Sequence, residues 1–145
     1  MKRIIIIIIS LLSLASICFA ENQRWDEIFK DGDFVAYIDT YNVKVVMKDN
    51  KKCLETWIKY GIKDSYLIEH TYIDTEKAAR RELSYSINES VFYRNNQYVS
   101  TENRSEKGWL IPTPGSRLVG LLIGALDWSE DHINKSIHPQ EHTIN

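Results

Sequence analysis

Thr113-Pro114-Gly115-Ser116-Arg117-Leu118-Val119-Gly120-Leu121-Leu122-Ile123-Gly124-Ala125-Leu126 is the stretch whose reading decides the fold. It is the one long helix-period segment after the N-terminal leader. Leu118, Leu121, Leu122, Ala125 and Leu126 recur at the spacing of a single helical face. Val119 and Ile123 widen that face to an apolar arc of roughly 200° at about 100° per residue. A helix this apolar needs a sheet to cover it. Either Thr113 caps it with Pro114 at the first helical position, or Ser116 caps it and Pro114-Gly115 is a turn. Gly120 and Gly124 each cost about 1 kcal/mol in a helix. Their stripe reads as close packing on the chain's own sheet; the alternative is a homodimer through Gly120/Gly124. The apolar run falls short of the ~20 residues that span a membrane.

The rest of the chain supplies the sheet. Strands are expected at 24–30, 34–38, 43–47, 53–60, 66–74, 80–87, 91–94 and 97–101. Asp31-Gly32, Asp49-Asn50 and Asn95-Asn96 are hairpin turns, because those residues tolerate positive φ. Leu54, Thr56, Ile58 and Tyr60 alternate with Cys53, Glu55, Trp57 and Lys59, so this strand reads as central and covered on both faces. Arg81, Leu83, Tyr85 and Ile87 give the clearest period-2 alternation. Tyr37-Ile38-Asp39-Thr40 recurs as Tyr72-Ile73-Asp74-Thr75, read as one strand-ending turn used twice. Consecutive hairpins make a meander. The expected fold class is α+β, an antiparallel sheet of about six to eight short strands with one C-terminal helix packed on it.

Lys2 and Arg3, the isoleucines Ile4 to Ile9 and then Cys18-Phe19-Ala20 read as a secretory signal over residues 1–20. Cleavage after Ala20 would start the mature chain at Glu21; acylation of Cys18 is the alternative. Residues 21–128 then form a single domain, and 129–145 a polar, disordered tail. Losing Lys2 and Arg3 takes the net charge from −2 to −4. That mild acidity excludes nucleic acid as a general partner, and no stable membrane span remains after cleavage. Only Cys53 is left, so no internal disulfide forms. The expected location is periplasmic, cell-surface or secreted.

No HExxH, GxSxG, CxxC or phosphate-binding glycine loop is present. Cys53 with His70 is the one candidate nucleophile and base, set against a small buried strand cysteine. Asp39, Glu69 and Asp74 are weak candidates for an acid–base pair, two of them in turns. His132, His138 and His142 would bind metal only if the tail folded around it; no metal or cofactor is expected. Lys44, Lys48, Lys51 and Lys52 flank the Asp49-Asn50 turn and form a candidate patch for an anionic glycan or an acidic protein surface. The alternative is solubilising charge on an edge strand. If 39–42 is a simple chain reversal, this tip lies at the same end of the sheet as the acidic Asp31-Gly32 hairpin and is partly neutralised.

Trp25, Tyr37-Ile38-Asp39-Thr40, the strand with Trp57, Arg80-Arg81-x-Leu83 and Trp109-x-Ile111-x-x-Pro114-Gly115-Ser116 before an apolar helix resemble the surface-adhesin protein E family over residues 25–126. The resemblance implies a small exported antiparallel sheet with a helix against it. It also implies no catalytic residue and, for some members, binding of host matrix proteins such as vitronectin and laminin. It further implies a cysteine pair, one near the fifth-to-sixth strand connection and one in the terminal helix; residues 76–81 and 118–128 hold no cysteine. The expected function is an exported, non-enzymatic binding module. The alternatives are a small exported enzyme using Cys53 with His70, or an accessory cell-envelope protein.

Overall fold

The structure, a computed structural model, describes residues 24–137, the last four as backbone only. The leader, Cys18, the Ala20–Glu21 junction, His138, His142 and the rest of the tail lie outside the described residues. The elements are β1 (Trp25–Asp31), β2 (Phe34–Asp39), β3 (Lys44–Lys48), β4 (Lys51–Ile62), β5 (Ser65–Asp74), α1 (Thr75–Ala79), β6 (Tyr85–Arg94) and β7 (Gln97–Asn103). A short 3-10 turn (Ser105–Lys107) then leads to α2 (Arg117–Ile137). The sheet has seven strands in the order β1-β2-β4-β5-β6-β7, all pairs antiparallel, with β3 also on β4. The α+β class and the antiparallel meander expected from the sequence are the ones found. Among the described residues no helix is long and apolar enough to cross a membrane.

Turn chemistry sets the meander. Gly32, Asp49, Asn50, Asn95 and Asn96 all have φ between 51° and 60°, the left-handed values that short hairpin turns demand. Residues 39–42, however, do not reverse the chain. Phe34 to Ile38 pair with Ile62 to Ile58, and Lys44 to Lys48 pair with Glu55 to Lys51, on the same edge of β4. β2 and β3 are therefore one strand line interrupted by an excursion at 39–43. Buried Asp39 holds the excursion. Its Oδ2 accepts from Arg24 Nε and Nη2 at 3.1 and 2.7 Å and from Asn42 Nδ2 at 2.8 Å, and its Oδ1 accepts from the Tyr41 N–H at 3.1 Å. The Asp31-Gly32 and Asp49-Asn50 turns thus stand at opposite ends of the sheet, and the expected neutralisation does not occur.

Asp74 ends β5 in a related way, its Oδ1 accepting from the Lys77 N–H at 2.9 Å and so capping α1. The repeated tetrapeptide is indeed one strand-ending device used twice. Residues 80–84 are not strand, despite their alternation. Arg80 closes α1 and Arg81 takes φ 64°, so the chain turns before β6 begins at Tyr85. β6 then runs unbroken to Arg94, merging two expected strands.

Leu121, Leu122 and Ala125 of α2 are buried against Ala36, Ile38, Leu54, Ile58 and Ile73, with Leu118 and Leu126 packed at the margin. Val119 and Ile123 miss this core; they line an apolar groove of about 640 Å³ beside α1 and β3. The glycine stripe is filled by the chain's own β1. A Cβ at Gly124 would overlap the carbonyl oxygen of Ile28, and one at Gly120 would overlap the Phe29 ring. Ile28 is the extra residue of a β-bulge in β1, which bends the strand there. Close packing within the chain, not a dimer stripe, accounts for both glycines.

The helix starts at Arg117 after a Pro114-Gly115 turn in which Gly115 has φ 74°. It does not stop near Leu126, and the expected tail from 129 is helical as far as Ile137. Ser129 is buried, Ile133 packs on the core and Trp128 Nε1 donates to Asp26 Oδ2 at 2.9 Å. A serine on the inner face and charged neighbours hide that continuation from a hydrophobic-period reading.

Candidate functional site

α2 covers one face of the sheet only. Along β4, Leu54, Thr56 and Ile58 are buried toward the helix, while Glu55, Trp57 and Lys59 are half-buried on a face that has no second layer among the described residues. β4 is central, as expected, but it is not covered on both sides. Register lines up the open-face residues in rows: Glu55 with Tyr72, Trp57 with His70, Lys59 with Ile68 and Gly61 with Tyr66, continued by Tyr93 opposite Tyr66 and Tyr98 opposite Tyr93.

These rings touch. Trp57 and His70 stack at 4.8 Å and 9°, and His70 meets Tyr72 at 5.0 Å. Tyr66 stacks on Tyr93 at 4.8 Å, and Tyr93 meets Tyr98 edge-on at 6.1 Å. Ammonium groups lie over two of them: Lys59 Nζ is 4.4 Å from the Tyr66 centroid and Lys48 Nζ 3.9 Å from that of Tyr72. The result is a strip made of two ring clusters, Trp57/His70/Tyr72 and Tyr66/Tyr93/Tyr98, with the Lys59–Ile68 row between them, apolar on ring faces and polar at hydroxyls and ammoniums.

Beside Trp57 the 39–43 excursion leaves a recess of about 160 Å³ lined by Tyr41, Asn42, Lys44, Glu55 and His70. His70 Nε2 and Glu55 Oε1 are 2.9 Å apart, and Lys44 Nζ is 3.4 Å from Glu55 Oε2. Burial, then the adjacent Glu55 charge, pushes the Tyr72 hydroxyl above its ordinary pKa. The carboxylate thus holds an imidazole and an ammonium in place and stiffens the strip.

Cys53 and His70 are not brought together. Cys53 pairs with Asp74 and His70 with Trp57, about 13 Å apart along the strand at ~3.3 Å per residue. The thiol is fully buried, donates to the Lys51 carbonyl at 3.2 Å, and has its pKa raised by burial. That is the opposite of an activated nucleophile. Asp39, Glu69 and Asp74 are likewise separate. Glu69 is buried on the helix side, where it accepts from Tyr60 Oη and Ser90 Oγ at 2.7 Å each and from Arg104 at 3.3 Å. Burial, then the Glu69 charge, drives the Tyr60 hydroxyl up. His132 stacks on Trp128 at 4.0 Å, and among the described residues no cluster of histidine, cysteine or carboxylate side chains is arranged to hold a metal.

Of the four lysines of the Asp49-Asn50 hairpin, Lys44, Lys48 and Lys51 lie on the open face, Lys48 directly opposite Lys51. Lys44 is paired with Glu55, Lys48 sits on Tyr72, and Lys51 lies 4.0 Å over the Trp109 ring. Lys52 points to the other face, on the rim of the groove beside α1. Sequence reasoning missed the aromatic face because its members sit on four different strands. Only the cross-strand register unites them. The signal available was the excess of tyrosine on one parity of β5, Tyr66 and Tyr72.

No family model, no curated protein and no solved structure matches this chain.

Proposed function

We propose that this chain is an exported, non-enzymatic binding module that uses the open face of its sheet to hold an extracellular partner. The observation that carries the reading is the pair of aromatic clusters on the uncovered face, Trp57/His70/Tyr72 and Tyr66/Tyr93/Tyr98, with Lys48 and Lys59 seated on their rings. An antiparallel sheet with one solvated face ordinarily places polar residues there. Stacked tyrosines and a tryptophan instead supply rigid, amphipathic contact area at low entropic cost. The separation of Cys53 from His70 favours binding over catalysis. The basic-then-apolar residues 2–17, read as a secretory signal, and the resemblance to the surface-adhesin protein E family support the extracellular setting.

The test is capture of the purified mature chain on immobilised matrix proteins and glycans, wild type against Tyr93→Ser/Tyr98→Ser. Tyr98 is 60% exposed and both residues lie toward the β7 edge, so the variant keeps its fold, as thermal unfolding will verify. Binding that is lost with an unchanged melting temperature supports the reading. Equal capture by wild type and variant ends it. N-terminal sequencing of the exported protein is expected to begin at Glu21; an acylated Cys18 would make it an anchored form instead.

A further inference from the structure

Beside the turns that join β1 to β2 and β4 to β5, the open face ends in a recess of about 410 Å³. Its floor is Gly61, paired with Val35 on one side and Tyr66 on the other. A Cβ there would overlap the Ser65 carbonyl oxygen and Tyr66 Cα, so glycine lets β4 and β5 close in beneath the recess. Tyr37 and Lys59, the next cross-strand pair on that face, form one wall, and Tyr66 the other. Lys30, Lys63, Asp33 and Asn96 stand around the rim.

The electrostatics are one-sided, with three cations lining the recess against the single carboxylate of Asp33. Among the described residues no carboxylate pairs with Lys30, Lys59 or Lys63, whereas Lys44, Lys107 and Arg117 are each held by one. The frame is fixed. Tyr66 is stacked on Tyr93. The Asn96 N–H donates to the Asp64 carbonyl at 3.0 Å and its side-chain amide to Asp64 Oδ1 at 3.2 Å, tying the β6–β7 turn to the β4–β5 turn.

We infer that this recess is a subsite for an acidic sugar residue, a pyranose bearing a sulfate or carboxylate. The inference rests on the binding-module reading and names the ligand class at one end of that face. Lysines without a carboxylate partner around a concavity, Lys59 steadied over the Tyr66 ring, attract an anion. The volume lies within the ~300–1,000 Å³ range of small-molecule sites, more than a bare inorganic anion fills. Asp33, Asn96 and the tyrosine hydroxyls match a ring of sugar hydroxyls, and Tyr37 offers an aromatic surface to the sugar's C–H groups.

The experiment is calorimetric titration of the mature chain with a sulfated heparin disaccharide, with sodium sulfate and with neutral maltose as comparison probes. The disaccharide is expected to bind more tightly than either and to weaken as salt rises. Lys59→Ala and Lys63→Asn should each lower its affinity about tenfold, the scale of one charged hydrogen bond. Asparagine tolerates the φ of 52° at position 63. Tyr37→Ala should weaken the disaccharide and leave any binding of sulfate ion unchanged. Lys48→Ala/Lys51→Ala/Lys52→Ala should change nothing. Sulfate binding as tightly as the disaccharide, loss of binding with the Lys48/Lys51/Lys52 variant alone, or no binding of the disaccharide overturns the proposal. If the disaccharide fails while capture on the matrix panel persists, the subsite falls and the binding-module reading stands.

Discussion

Gly124→Ala tests the packing of α2 against the sheet. In an exposed helix the change would stabilise by about 1 kcal/mol. Here the new Cβ overlaps the Ile28 carbonyl oxygen and stands 3.0 Å from the carbonyl carbon. A relaxed C···O contact is roughly 3.3 Å, so α2 must withdraw from β1 by on the order of 1 Å. The obstacle is backbone, held in β1 by the ladder on either side of its bulge, and it cannot swing aside as a side chain would. Overpacking of this kind costs about 3 kcal/mol at the upper end of its usual range. Withdrawal also loosens the buried Leu121, Leu122 and Ala125. The net loss is about 2 kcal/mol, or roughly 8 °C in melting temperature for a domain of this size. Gly120→Ala should lose less, because the Phe29 ring it meets can rotate. Thermal unfolding by circular dichroism reads both. A melting temperature that rises in Gly124→Ala refutes the argument. So does a variant whose stability is unchanged but whose sedimentation shows a dissociated dimer.

The Asp39 carboxyl would be raised by burial, but hydrogen bonds from Arg24, Asn42 and Tyr41 outweigh that and hold it below its ordinary 3.8. Its contribution is therefore present above that ordinary value and lost as pH falls through the lower folded one. Urea midpoints of the wild type should drop below about pH 4, and Asp39→Asn should be less stable at pH 7 but show a smaller acid-induced drop. Leu122→Asp should abolish cooperative unfolding, since position 122 is fully buried and an unpaired charge there has no partner; a normal melting curve would contradict the core assignment. Cys53 should resist an aromatic disulfide reagent at pH 8 until denaturant is added, and rapid labelling of the native chain would contradict its burial.

The hairpins were legible because Asp-Gly, Asp-Asn and Asn-Asn turns announce themselves through backbone preference, a property of a few adjacent residues. The helix core was legible because Leu121, Leu122 and Ala125 share one period. What failed depended on distant partners. Asp39 looks like a reversal residue locally, and only its bonds to Arg24 across the strand pair turn 39–43 into an excursion. Arg81 sits in a perfect alternation yet is left-handed, because α1 must be closed before β6 can start. The hairpin lysines are close in sequence, but their partners Glu55, Tyr72 and Trp109 come from elsewhere in the chain. Lys30, Lys59 and Lys63 are scattered in sequence and converge only through the register of three strands.

The pairing of α2 with β1 bears on the order in which this molecule can complete its fold. Every strand meets a neighbour close in sequence, so the meander can zip up locally as it emerges. Its apolar face, however, waits for a helix whose contacts on Ile28 and Phe29 bridge about ninety residues. Until α2 docks, Ala36, Ile38, Leu54 and Ile73 have no cover, and the half-folded sheet is a sticky, one-sided ribbon open to misassembly.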